Sequence, residues 1–121
     1  MSALTTRRQL GDAGEDLAAS ALKRQGYKIL ERNYLTPLGE IDLIARQGKA
    51  LVFIEVKTRR GERFGAPQEA VSTAKQNRLR RLADYYLKQK RLGADVLVRF
   101  DVVGITISPE GPRVEVIQAA F

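Results

Sequence analysis

Apolar residues recur at helical spacing near the start of the chain, at Leu10, Ala13, Leu17, Ala18, Ala21 and Leu22. Thr6-Arg7-Arg8-Gln9 ahead of them resembles a capping box, and Gly26 marks a stop, which together predict a first helix. The pattern then changes period. Tyr27 to Tyr34 reads as a strand that leaves at Pro37. Residues 39–45 and 51–57 are two strand-like apolar runs separated by a short turn. A second helix is predicted from about Pro67 or Thr73 to Arg91, with Leu79, Leu82, Ala83, Tyr86 and Leu87 as its apolar stripe and Gly93 as its end. Residues 96–107 read as a central strand, 109–112 as a turn, and Arg113 to Ile117 as a last strand. The order is helix, three strands, helix, two strands. It predicts an α/β fold with a mixed sheet and helices on both faces.

The turn fixes the register of the middle hairpin. In Gln47-Gly48-Lys49-Ala50, Gly at the first central position suits a type II′ two-residue loop. Pairing Gln47 with Ala50 then sets Ile44 opposite Phe53, Asp42 opposite Glu55, and Glu40 opposite Lys57. Opposed residues in such a pair have Cβ atoms roughly 4.5–5.5 Å apart. Alternation puts Asp42, Glu55 and Lys57 on one face with Ile44, Leu51 and Phe53. Ile41, Leu43, Val52, Ile54 and Val56 fall on the other. A hairpin apolar on both sides is covered on both sides.

Acids do not belong in such strands on packing grounds, and a buried charge is costly unless paired or metal-bound. Two facing carboxylates repel unless a cation sits between them. Mg²⁺ takes oxygen ligands, uses one or two carboxylates and keeps waters and phosphate oxygens as its remaining partners. Lys57, two residues after Glu55, adds a cation for a phosphate or an attacking water. The plain alternative is a cross-strand salt-bridge cluster, with Glu40–Lys57 a surface pair of little weight. By periodicity alone Glu15 reads as a solvated helix glutamate. Gly11 and Gly14 beside it cost helix stability unless something approaches closely. Asp101 interrupts an apolar run and reads equally as a site acid or a buried hydrogen-bond acceptor.

Composition narrows the chemistry. The 121 residues are expected to form one domain, 1–121. Cys and His are both absent, which excludes disulfides, thiol catalysis and zinc–histidine sites and leaves carboxylates, lysine and hydroxyls. No apolar run reaches membrane-spanning length, so no membrane partner is expected; with no signal-like segment in residues 1–30, a cytoplasmic location is expected. Lys and Arg number 21 against 14 Asp and Glu, for a net charge of +7. That excess predicts a polyanionic partner, nucleic acid first. Residues 58–67 read as a basic loop carrying Arg59, Arg60 and Arg63, and from Lys75 to Arg91 seven basic residues face one acid, Asp84. Lys75, Arg78 and Arg81 are the phosphate-contacting candidates on the second helix, with a merely solvated face as the alternative.

Asp42 followed by Glu55-Val56-Lys57 resembles the Asp…Glu-x-Lys signature of the PD-(D/E)XK nuclease superfamily. Within it, the chain resembles the YraN-like family, whose members look like small Holliday-junction-resolvase-type nucleases. The matching stretches are 11–15, 39–44, 53–59, 64–67, Lys75 and 99–103, spanning nearly the whole chain. A strict Pro-Asp dipeptide is missing, because Ile41 precedes Asp42. The resemblance implies a restriction-endonuclease-like core and an acid on the first helix, which falls on Glu15. It also implies Mg²⁺ or Mn²⁺ held by Asp42, Glu55 and the Val56 carbonyl, with Lys57 at the phosphate or the water. Glu40 is a more peripheral candidate, and Gln68 would reach the site from the start of the second helix. Resemblance to resolvases implies a homodimer.

The reading that results is a metal-dependent DNA endonuclease, with branched or junction DNA as the implied substrate. The alternative is a nucleic-acid-binding module of the same fold that cuts nothing.

Overall fold

The computed structural model describes residues 7–61 and 67–121, apart from the side chains of residues 7–10 and of Gln68. The element order is the predicted one: α1 (Arg7–Arg24), β1 (Lys28–Thr36), β2 (Gly39–Gln47), β3 (Ala50–Arg60), α2 (Thr73–Gln89), β4 (Leu97–Ser108) and β5 (Gly111–Ile117), with a short 3₁₀ turn at Pro67–Ala70 before α2. The five strands form one mixed sheet in sequence order. β3 and β4 run parallel, linked by the crossover through α2, and the other neighbours are antiparallel.

The β2–β3 register is the one the turn dictates, with Gln47 opposite Ala50 and Ile44 opposite Phe53. Gly48 has φ of 57° and Lys49 stays at negative φ, the II′ geometry that glycine permits at that position. Each face of the sheet is covered by one helix. Ala18 and Leu22 of α1 pack with Leu43, Val52, Ile54, Val103 and Ile105. Leu79, Leu82, Ala83 and Tyr86 of α2 pack with Ile41, Ile44, Leu51 and Phe53. Phe53 is fully buried and meets Tyr86 edge-on, ring centroids 5.6 Å apart. Emptying such a position costs about 3–5 kcal/mol.

Several expectations need correction. Ile41 packs with Ile44, Leu51 and Phe53 on the α2 side, not with Leu43. The alternation breaks at Asp42, where the facing β1 residue between the Arg32–Leu43 and Tyr34–Ile41 pairs is Asn33, at φ 52°. Asn is among the few residues that tolerate this left-handed conformation. Ala13 is exposed, so the α1 stripe is carried by Leu17, Ala18, Ala21 and Leu22 with Ala19 added. Strand β3 runs on through Arg60, so Thr58, Arg59 and Arg60 belong to the sheet and not to a loop. Helix α2 ends at Gln89, and the left-handed residue beyond it is Arg91 at φ 55°, ahead of Gly93. Thr6 of the expected capping box and residues 62–66, including Arg63, lie outside the described residues.

Asp101 is fully buried on β4, beside Ile54 in the ladder, and its hydrogen bonds do not run to Asp42 or Glu55. It accepts from Tyr27 Oη at 2.6 Å, from Arg99 Nε and Nη2 at 2.9 Å each, and from the Ala119 amide at 3.0 Å. Arg99 also donates to Gln47 at 2.6 Å. A buried carboxylate with four donors is a satisfied structural acceptor. Asp101 thus ties the C-terminal segment and the end of α1 to the sheet.

Candidate metal centre

The acids gather where β2 and β3 diverge. The recorded ladder ends at Leu43–Ile54, and one residue further the Asp42 carboxylate takes over, with Oδ2 accepting from the Val56 amide at 2.8 Å. Helix α1 brings in Glu15. Gly14 allows this approach, because a Cβ there would overlap Thr58 Oγ1 and sit 3.2 Å from Thr58 Cβ. Of the two helix glycines, Gly14 is the one something approaches; a Cβ at Gly11 meets nothing within 4 Å. Gly39, at φ 143°, opens β2 and leads into Glu40.

Glu15, Glu40 and Asp42 each offer a carboxylate oxygen within 4.8 Å of the other two. Glu55 contacts Asp42 from β3 and forms an ion pair with Lys57, Nζ to Oε1 3.6 Å. Of the predicted residues, Glu15, Asp42, Glu55 and Lys57 are therefore brought together. Glu40, taken as peripheral, stands in the triad itself. Val56 enters through its N–H to Asp42. Lys57's recorded ion pair is with Glu55, not with Glu40. Asn33 was not anticipated: its side chain hydrogen-bonds Glu15. Its signal was legible only as an asparagine facing Asp42 across the β1–β2 pair.

The electrostatics are those of crowded acids. Burial pushes the Asp42 carboxyl up to about 8, reinforced by Glu55, while the Val56 amide opposes the shift. Burial likewise raises Glu15; the Asn33 hydrogen bond opposes this, and Glu40 and Asp12 add to it. The Glu15 Oε1 atom is buried and has no hydrogen-bond partner among the described residues. An orphaned buried carboxylate oxygen, facing two further carboxylates, is an all-oxygen donor set that fits a hard divalent cation.

Two cavities meet at Glu40. One, of about 560 Å³, is lined by Gly11, Asp12, Glu15, Asn33, Leu35 and Glu40. The other, of about 110 Å³, is lined by Glu40, Glu55, Lys75, Arg78, Leu79 and Leu82 of the α2 side. The Lys75 side chain lies at hydrogen-bonding distance from Lys57, and that neighbour lowers the Lys75 pKa. Of the other basic candidates, Arg81 is exposed on α2, Arg60 is exposed at the end of β3, and Arg59 is half-buried within β3. Gln68 falls in the 3₁₀ turn at Pro67–Ala70.

Fold and site together define an α/β protein with a mixed five-stranded sheet and an acidic cluster suited to a metal ion, set between its two helices. The chain belongs to the uncharacterised protein family UPF0102, the YraN-like family, whose model matches residues 14–105 and so takes in every acid of the cluster. It is 52% identical over 118 residues to a UPF0102 protein of Moorella thermoacetica, covering 96% of this chain and 98% of that one. A UPF0102 protein of Symbiobacterium thermophilum is 53% identical over 116 residues, covering 94% and 97%. One from Syntrophus aciditrophicus is 47% identical over 118 residues, covering 98% and 92%. Among the described residues no helix is long and apolar enough to cross a membrane.

Proposed function

We propose that this protein is a metal-dependent DNA endonuclease of the PD-(D/E)XK kind, a single domain that hydrolyses phosphodiester bonds, with branched DNA as the favoured substrate class. The carrying observation is the convergence of Glu15, Glu40 and Asp42 within 4.8 Å, with one Glu15 oxygen buried and unpartnered among the described residues. Asp42, Glu15 and Glu40 would hold Mg²⁺ or Mn²⁺, with Glu55 against Asp42 as a further donor. A divalent ion bound there supplies an acidified water and stabilises charge on phosphoryl oxygens. Lys57 donates from beside Glu55 to the nonbridging oxygen or the attacking water. Water oxygen forms a new bond to phosphorus as one P–O ester bond breaks, and the proton water loses balances the one the leaving alkoxide gains. The net charge of +7 and the basic residues of α2 favour the DNA backbone as partner.

One observation favours a second reading, a DNA-binding module without cleavage. Asp42 at about 8 holds a proton at neutral pH, so the Asp42–Glu55 contact stands without an ion. A screen of the purified protein against linear, single-stranded, flap and four-way DNA, with Mg²⁺, Mn²⁺ or EDTA, separates the two. Metal-dependent cutting of any substrate supports the endonuclease. Binding without cutting in every metal condition supports the module.

A further inference from the structure

The acid cluster opens toward both helix layers, and the described linings differ: acids alone carry charge on one side, and acids face cations on the other. Among the described residues, the charged lining of the α1-side cavity is Asp12, Glu15 and Glu40, with no cationic side chain. The α2-side cavity sets Lys75 and Arg78 beside Glu40 and Glu55, and Lys57 touches Lys75. We propose that this α2-side cavity is a phosphate pocket, in which Lys57, Lys75 and Arg78 take the nonbridging oxygens of one phosphate while the cation site is served from the α1 side. The inference rests on the nucleic-acid reading above and deepens it: it assigns the phosphate a place and a face of entry.

Three observations carry it. The first is size. A water takes about 30 Å³ of liquid volume, and pockets for drug-sized ligands begin at about 300 Å³. A cavity of about 110 Å³ has room for a phosphate with a water or two. The second is like-charge crowding that folding does not explain. Lys57 and Lys75 come from different elements, β3 and α2, and are held at hydrogen-bonding distance although both are donors only. Lys75 lies in the first turn of α2, where the helix dipole is positive and no acid stands. Cations there are unfavourable unless an anion joins them. Glu55, at 3.6 Å from Lys57, offsets one of these charges. The third is a built position for Arg78. Its guanidinium lies across the β1–β2 turn, and a Cβ on Gly39 would come 3.6 Å from Arg78 Nε. Bidentate guanidinium–phosphate contact is the recognition this placement suits.

The test uses the full-length protein and NMR of its lysine side chains and α2 amides, titrated with inorganic phosphate in the presence and absence of Mg²⁺. A dinucleotide with one internal phosphodiester and a nucleoside 5′-monophosphate distinguish backbone from strand-end phosphate. The expected result is saturable shifts at Lys57, Lys75 and the first turn of α2 with at least one of the three probes. Lys75→Ala should weaken that binding by roughly 10-fold to 100-fold, the loss of one charge-assisted contact, and Lys75→Arg should restore most of it. Arg78→Ala should weaken it by a similar factor with the fold intact by circular dichroism. Shifts confined to other basic residues, or equal affinity in wild type and Lys75→Ala, would overturn the pocket. None of these readouts measures cleavage, so a protein that cuts no DNA fails the nuclease reading and leaves the pocket to be judged on binding alone.

Discussion

Asp42→Asn isolates the crowding at the acid cluster. The substitution removes the charge, keeps the shape, and keeps an oxygen able to accept from the Val56 amide. The Asp42 carboxyl titrates near its ordinary 3.8 in the unfolded chain and at about 8 in the folded one. The folded state therefore binds more protons between those values, so stability falls as pH rises through this window. Each pK unit corresponds to about 1.36 kcal/mol, which sets a ceiling of roughly 5 kcal/mol on the loss by pH 8. Glu55 shares the proton, so the titration belongs to the pair. In EDTA, Asp42→Asn should match wild type near pH 4 and melt higher near pH 8, by roughly 3–6 °C for each kcal/mol recovered. Mg²⁺ at about 100 times its dissociation constant should return about 2.7 kcal/mol to wild type at pH 8 and much less to the variant. Thermal melts of both proteins at each pH, with EDTA and with Mg²⁺, make the comparison. A difference between wild type and variant that is the same at pH 4 and pH 8 would refute the reasoning.

Three further outcomes follow. DNA affinity should fall linearly as log salt rises, with a slope near 0.9 for each phosphate contacted, measured by fluorescence anisotropy; affinity independent of salt would remove the phosphate-backbone account. Gly14→Ala should destabilise the protein by about 1–3 kcal/mol in urea melts, although alanine is the better helix former, because its Cβ meets Thr58; Thr58→Ala in the same chain should recover part of the loss, and no loss in the single variant would mean α1 is not held by this contact. Asp101→Asn should cost about 3 kcal/mol by leaving Arg99 and Tyr27 poorly matched, yet keep DNA affinity and the Mg²⁺ response; a lost Mg²⁺ response would put Asp101 in the site after all.

The α/β order was legible because each element carries its own local signal. The α2 stripe of Leu79, Leu82, Ala83 and Tyr86 is buried as its spacing required. The β2–β3 register was legible because one glycine at the turn fixes it, and Gly48 adopts the required positive φ. The acids noticed within the apolar hairpin, Asp42 and Glu55, do lie together in the structure. What escaped the sequence depends on neighbours in space. Ile41 changed faces where Asp42 leaves the ladder opposite Asn33, a break that strict alternation cannot anticipate. Glu40 reads as an edge residue from register alone and joins the triad only once α1 docks through Gly14. Helix α2 ends at Gln89 and the left-handed residue beyond it is Arg91, which has no intrinsic preference for positive φ, while Gly93 two positions on carried the expected signal.

Cleavage of DNA by the acid cluster is the central claim. The measurement is single-turnover hydrolysis of the best substrate from the DNA panel, in Mg²⁺, by wild type, Asp42→Ala, Glu55→Ala, their double variant and Lys57→Met, with DNA binding and melting followed in parallel. Lys57→Met keeps the packing of the stem and removes the ammonium. The prediction is that each single variant folds, binds DNA and loses cleavage by orders of magnitude, and that the double variant loses little more, because residues acting as a unit are not additive. Cleavage that persists in all three single variants would contradict the account and place the chemistry elsewhere.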